Sequence, residues 1–279
     1  MSDSASYKKL KQIGEGGFSH IYLVEKETGE KYAMKSYKTH STQSEIKLQF
    51  YREIKYLSSL KHENIISLLH VFVDQNLVSI ILPLCDCSLD MELTVPRSLE
   101  EKYLYVQNRF AQILQAVQYL HSNCIVHRDI KPSNFLIKDN KLYLTDFGNA
   151  KTVHPNVHIK SNMVSIFYRP PESFICTTEF PFAIDIWSIG CVFYTLLTGV
   201  ILFEANSEFE VCAKIGEMFD LEMQDAINDD KIRDAHIDKS KFEKIDIITE
   251  KTFAILTNCL AFDPSKRPSI DELQQMACF

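Results

Sequence analysis

The chain has 279 residues, enough for one large domain or two packed lobes, with 46% hydrophobic and 24% charged residues, 8 glycines and 9 prolines, the composition of a globular protein. A net charge of −7 argues against a general nucleic-acid binder, which is usually basic, and no run approaches the ~18 uninterrupted apolar residues of a membrane span. The cysteines at 85, 87, 124, 176, 191, 212, 259 and 278 form no CxxC pair, so they read as reduced thiols of a cytoplasmic or nuclear protein and give little support to a zinc site.

In chain order, the polar start lacks a signal-peptide core, and Ser2 stands where a myristoylation signal needs glycine, so neither a leader nor that anchor is expected. Residues 7–12 and 20–25 alternate as two strands around Gly14-Glu15-Gly16-Gly17-Phe18-Ser19, where absent side chains let backbone N–H groups approach phosphate oxygens. Alone, such a stretch is more often a plain hairpin. A third strand, Lys31-Tyr32-Ala33-Met34-Lys35, ends on a lysine. Residues 43–60 carry Ile46, Phe50, Ile54 and Leu57 at helical spacing with Glu53 beside that stripe; a single helical glutamate by default pairs with a Lys or Arg four residues away. Leu68–Phe72 and Leu77–Leu82 predict two more strands, Pro83-Leu84-Cys85-Asp86 follows them, and Leu99–His121 reads as a long amphipathic helix.

The stretch from His127 to Gly148 concentrates the chemistry. Asp129, Lys131 and Asn134 fall close together; Phe135-Leu136-Ile137, a turn at Asp139-Asn140, and Leu142-Tyr143-Leu144 predict a hairpin; Asp146 follows it. A hairpin brings the two flanking loops to one end, where Asp129 meets a substrate hydroxyl while Asn134 and Asp146 offer oxygen ligands to a hard cation such as Mg²⁺. His127 alone reads as a packed core histidine. Further on, the helix starting at Asp185-Ile186-Trp187 runs through Leu197 to a C-cap at Gly199, residues 203–245 are acidic and helical in places, and Thr249–Leu260 and Ser269–Ala277 are closing helices, the last with a Ser269/Glu272 capping box.

From Gly14 to Arg267 the chain resembles the eukaryotic Ser/Thr protein kinases. His127-Arg128-Asp129-Ile130-Lys131-Pro132-Ser133-Asn134 is similar to their catalytic loop, Asp146-Phe147-Gly148 to their metal-binding DFG, and Ala33-Met34-Lys35 to the strand bearing their phosphate-holding lysine. The resemblance implies an α+β, two-lobed kinase fold in a single domain over 1–279: an antiparallel N-lobe sheet with one main helix (about 1–84), a hinge near 83–87, and a mostly helical C-lobe (about 88–279). It implies ATP and Mg²⁺. Gly14, Glu15, Gly16, Gly17, Phe18 and Ser19 would form the nucleotide loop, and Ile21 and Ala33 would line the nucleotide site. Lys35 would hold phosphates and pair with Glu53, and Leu82 would be the gatekeeper. Pro83 would offer a carbonyl and Cys85 an N–H to the purine. Asp129 would act as base or orienter, Lys131 would neutralise charge on the transferred group, and Asn134 and Asp146 would bind the metal. Ser165 takes the place of a threonine that contacts the catalytic loop, Glu172 would pair with Arg267, and Asp185 would support the loop backbone.

Within the family, Met163-Val164-Ser165-Ile166-Phe167-Tyr168-Arg169 is similar to the group holding the cyclin-dependent kinases, and Arg52-Glu53 to the end of their cyclin-binding helix, whose remaining signature is missing. Gly17 and Phe18 replace their inhibitory Thr and Tyr, and Ser19 replaces a third glycine. The resemblance implies a protein substrate and a cyclin or other activator, with no direct nucleic-acid or membrane partner, and a role in cell cycle or transcription control. Ser133-Asn134-Phe135-Leu136 also occurs in the replication-initiating division-cycle kinases, which stay an alternative, as does a pseudokinase scaffold; Mg-dependent ATP turnover separates the last. Arg52, Arg128 and Lys151 stand where an activating phosphate would be gripped, with Ser161 as the candidate phosphosite one step after Lys160, against the alternative of a segment ordered by packing alone.

Overall fold

A computed structural model describes residues 7–16, 19–37, 44–74, 77–153, 159–160, 165–174, 177–221, 236–242 and 249–277. Gly17, Phe18, residue 43, Cys176, Cys278, Ser161, Met163 and Val164 lie outside the described residues, as does much of the 203–245 stretch. The elements in chain order are β1 (Tyr7–Gly16), β2 (Ser19–Lys26), β3 (Lys31–Tyr37), α1 (Ser44–Ser59), β4 (His70–Asp74), β5 (Leu77–Pro83), β6 (Cys87–Ser88), α2 (Leu89–Leu93), α3 (Leu99–Ser122) and β7 (Ile125–Val126). After these come β8 (Phe135–Lys138), β9 (Lys141–Leu144), β10 (Lys151–Thr152), β11 (Ile159–Lys160), β12 (Thr177–Thr178), α4 (Pro181–Thr198), α5 (Glu208–Met218), α6 (Glu250–Cys259) and α7 (Ile270–Met276). They form two compact units, one of Met1–Ser88 with Phe135–Ala150, the other of Leu89–Asn134 with Lys151–Phe279.

The first unit is built on a five-stranded antiparallel sheet in the order β1-β2-β3-β5-β4. Because strand side chains alternate, the register divides its two faces. Tyr22, Val24, Met34 and Ile81 share one face and form an apolar cluster with Tyr7 and Phe72. Lys35 pairs with Ile21 and Ile80, and Ala33 with Leu82, so these residues share the opposite face. Toward that face α1 turns Phe50, whose ring lies 5.3 Å from that of Tyr37. Strand β1 runs on through Gly14 to Gly16, longer than the predicted 7–12, with register shifts between Lys9 and Lys11 and between Gln12 and Gly14. Residues 135–150, which the sequence reading assigns to the second lobe, pack with this unit. The hairpin β8–β9 bonds to it: Leu144 donates to Asn64 O, Ile66 to Leu144 O, and Asp86 to Ile137 O. Its turn residues Asp139 and Asn140 have φ of 50° and 59°, the left-handed pair that a tight hairpin favours.

The second unit is largely helical. Helix α4 has the length and mean hydropathy (1.4) of a membrane crossing, but 78% of it is buried inside the unit, the mark of a core helix. Phe193 of α4 packs on Phe110 of α3 with ring centroids 4.1 Å apart. A Cβ on Gly190 would stand 2.8 Å from Cys259 Cβ, so only glycine admits α6 at that distance. Helix α4 stops at Gly199, whose φ of 81° is the left-handed C-cap. Capping boxes start α3 at Ser98/Glu101 and α7 at Ser269/Glu272. Arg267 ties the unit together. It forks onto both Glu172 oxygens at 2.7 and 2.8 Å and donates to the carbonyls of Ala261, Phe262 and Ala183. Glu172→Gln leaves this buried guanidinium without its counter-charge and is expected to cost about 2 kcal/mol; an unchanged urea midpoint would show the pair to be dispensable.

Candidate active site

In the first unit, Lys35 reaches α1 from β3. Its Nζ lies 2.7 Å from both Glu53 oxygens and 3.1 Å from Asp146 Oδ1. The pairing expected from the resemblance is therefore present, and the default i+4 partner on α1 is not what Glu53 uses. Burial would lower the Lys35 ammonium's hold on its proton; Asp146 and Glu53 more than reverse this and keep it above its ordinary value. Burial also pushes the Glu53 carboxyl above the usual carboxylate range, against the pull of Lys35. One ammonium faces two carboxylates here, so the cluster has an excess of negative charge. Asp146 sits at φ 63°, ψ 67°, left-handed for a non-glycine residue, a conformation retained only where its surroundings hold it. The turn after it, Phe147–Asn149, packs on α1, where Gln49 Nε2 donates to Asn149 Oδ1 at 3.2 Å.

The other nucleotide-side residues fall on the same sheet. Gly14 pairs with Ile21, and a Cβ there would stand in ordinary contact with Ile21 Cδ1 at 3.4 Å, on the face that carries Lys35, Ala33 and Leu82. Glu15 lies 3.7 Å from His20, and Ser19, opposite Gly16, is buried. Pro83 closes β5 opposite Tyr32. Cys85 is half-buried, and burial pushes its thiol up to about 11.

In the second unit, the short loop after β7 gathers Asp129, Lys131 and Asn134 around one carboxylate. Asp129 Oδ1 accepts from Ser165 N at 3.1 Å and from Ser165 Oγ at 2.6 Å. Its Oδ2 accepts from Asn134 Nδ2 at 3.0 Å and lies 3.0 Å from Lys131 Nζ. Lys131 Nζ also donates to Ser165 Oγ at 2.7 Å. Asn134 Nδ2 donates a second time, to Asp129 O at 2.7 Å, so its amide is oriented and Oδ1 is the atom left to act as a ligand. The loop backbone hangs on Asp185, which accepts from His127 N and Arg128 N, both at 2.9 Å, and meets His121 Nε2 at 3.0 Å. Burial would raise the Asp185 carboxyl, but His121 and the His127 N–H hold it below the usual range. His127 is buried and its Nδ1 accepts from Asp129 N, a role within the loop.

Of the two expected metal ligands, Asn134 belongs to the second unit and Asp146 to the first. Arg128 and Lys151 belong to the second and Arg52 to the first. Sequence reasoning missed Tyr37, whose hydroxyl donates to Glu53 Oε2 at 2.8 Å. The signal was there: Tyr37 stands two residues after Lys35 on one strand, hence on the same face. It also missed the direct Lys35–Asp146 contact, which no local spacing reveals.

Residues 7–279 match the family model "Protein kinase domain". The chain is 33% identical over 198 residues to the serine/threonine-protein kinase crk1 of Schizosaccharomyces pombe, covering 70% of this chain and 59% of that one. It is 32% identical to cyclin-dependent kinase 11 of Dictyostelium discoideum (76% and 61% covered) and 27% identical to cyclin-dependent kinase-like 4 of Mus musculus (98% and 83% covered). The chain spans about three fifths of the length of the first curated relatives it matches, 58–61%. The family model covers both units and every residue that builds the two charged clusters, and the chain therefore belongs to the protein kinases, where it resembles the cyclin-dependent kinases.

Proposed function

We propose that the chain transfers the γ-phosphate of ATP to serine and threonine hydroxyls of protein substrates. The observation that carries this is the Asp129 carboxylate, held by Ser165 and Asn134 with Lys131 alongside. A fixed acceptor beside a lysine suits a hydroxyl nucleophile and a phosphoryl group that gains charge as it moves. Kinases as a family use ATP with Mg²⁺, which when bound would offset phosphate charge. Each unit offers a donor suited to that ion: the second an oriented amide oxygen at Asn134, the first a carboxylate at Asp146, beside Glu53 and Lys35. Lys35, kept charged by Glu53 and Asp146, would bind phosphate oxygens; Lys131 would meet the transferred group; Asp129 would orient the hydroxyl and take its proton.

Purified chain given γ-labelled ATP and a basic protein substrate is expected to label serine and threonine with Mg²⁺ and not with EDTA. Labelling no higher than that of an Asp129→Asn control would leave the scaffold reading instead. Asp146→Asn is expected to abolish the Mg²⁺-dependent part of nucleotide binding and to leave the chain folded; equal Mg²⁺ titrations for variant and wild type would remove Asp146 from the metal site.

The relatives' names support a role in cell cycle or transcription control, with a cyclin or another activator as partner. The described cysteines 85, 124, 191, 212 and 259 are free thiols, which supports the cytoplasm or nucleus as its compartment.

A further inference from the structure

Tyr37 closes β3 and is almost fully buried. Its side chain lies on the Lys35 face, two residues along the same strand, with Lys35 Nζ 5.7 Å from its ring centroid. The ring meets Phe50 of α1 at 5.3 Å, and the hydroxyl donates to Glu53 Oε2 at 2.8 Å. Phe50 and Glu53 are three residues apart, one turn of the helix, so both contacts fall on one stripe of α1. Glu53 Oε2 thus receives two donors from one strand, the Lys35 ammonium at 2.7 Å and the Tyr37 hydroxyl. A lysine alone can follow a carboxylate through many helix positions, because its stem is flexible. A rigid ring with one hydroxyl at a fixed reach cannot, so the second donor narrows where α1 can sit. The contact with Phe50 sets the depth of the helix on the sheet, and the hydroxyl sets its rotation.

We propose that Tyr37 is a positioning residue for phosphoryl transfer, its hydroxyl holding Glu53 against Lys35 so that α1 is set in place by this chain's own sheet. The proposal rests on the phosphotransferase reading above. It makes the placement of α1 a property of the first unit, supplied by β3.

The test is Tyr37→Phe, which keeps the ring and its contact with Phe50 and removes only the hydroxyl. With the whole chain, kcat is expected to fall about tenfold, the scale of one hydrogen bond to a charged acceptor, while KM for the protein substrate stays put. In a Glu53→Gln background the same change is expected to cost less than about twofold, because the two side chains act as one unit. Amide exchange within α1 is expected to quicken about tenfold in Tyr37→Phe, and this readout does not depend on activity. A kcat within about twofold of wild type, unchanged α1 exchange, or a full tenfold loss persisting in the Glu53→Gln background would each overturn the proposal. Wild-type chain without phosphotransfer would instead overturn the phosphotransferase reading, and α1 exchange would still decide whether Tyr37 holds the helix.

Discussion

Asp129→Asn is expected to lower kcat by about 10²–10⁴-fold, the range for loss of a positioned acid–base group, with ATP affinity unchanged. The geometry explains why an isosteric change is so costly. Four donor contacts converge on this carboxylate, two from Ser165 on Oδ1 and one each from Asn134 and Lys131 on Oδ2. An asparagine has a single acceptor oxygen, so whichever way its amide turns, one pair of donors faces an NH₂ group. The loop then loses its proton acceptor and the hold on one of those pairs, Ser165 or Asn134 with Lys131, and each buried donor left without a partner costs about 1–3 kcal/mol. Lys35, Glu53 and Asp146 belong to the first unit, and Asn134 keeps its second bond, to Asp129 O, which is why binding and turnover should separate. Single-turnover rates with calorimetric ATP affinities check this; turnover within a factor of about two of wild type would remove Asp129 from the chemistry.

How far the sequence could be read depended on the range of the interactions involved. The β8–β9 hairpin was legible because its signal is local: two apolar runs and an Asp139-Asn140 turn, both residues left-handed in the structure. The capping box at Ser269 and the C-cap at Gly199 were legible for the same reason. The glycine stretch was read as a loop, yet Gly14 and Gly16 extend β1, since pairing with Ile21 and Ser19 outweighs the weak strand preference of glycine. Helix α2, only five residues long, is too short for periodicity to register. The packing of 135–150 with the first unit rests on bonds to Asn64, Ile66 and Asp86, far away in sequence and matched by no pattern within the hairpin. At the site, residue types in order pointed to Lys35, Glu53, Asp129, Lys131, Asn134 and Asp146. The contact of Lys35 with Asp146 spans 111 positions, and Tyr37, with no motif of its own, needed the register of β3 against α1.

Lys35→Met is expected to cost about 10²–10³-fold in kcat, the scale of one preorganised charge contact on the reacting group, and to change how stability depends on pH. Methionine matches the length of lysine, so packing is largely kept. What is lost is the ammonium between Glu53 and Asp146. Glu53 is 2% exposed, and breaking a buried pair at one end costs about 3–5 kcal/mol while the stranded charge persists. Burial already raises the Glu53 carboxyl against the pull of Lys35. Without the lysine, the Tyr37 hydroxyl is left to oppose burial, and the folded-state value rises further above the ~4.3 of an unfolded glutamate. A carboxyl raised on folding binds more protons folded than unfolded, so stability is fully present below the unfolded value and is lost as pH climbs through the folded one. The stability deficit of the variant should therefore be small in acid and widen as pH climbs from the unfolded value through the variant's folded one, because the wild-type carboxyl, with Lys35 opposing burial, is raised less and loses less stability over the same span. Thermal unfolding of both proteins across that range decides it: parallel curves would mean that Lys35 is not what compensates Glu53.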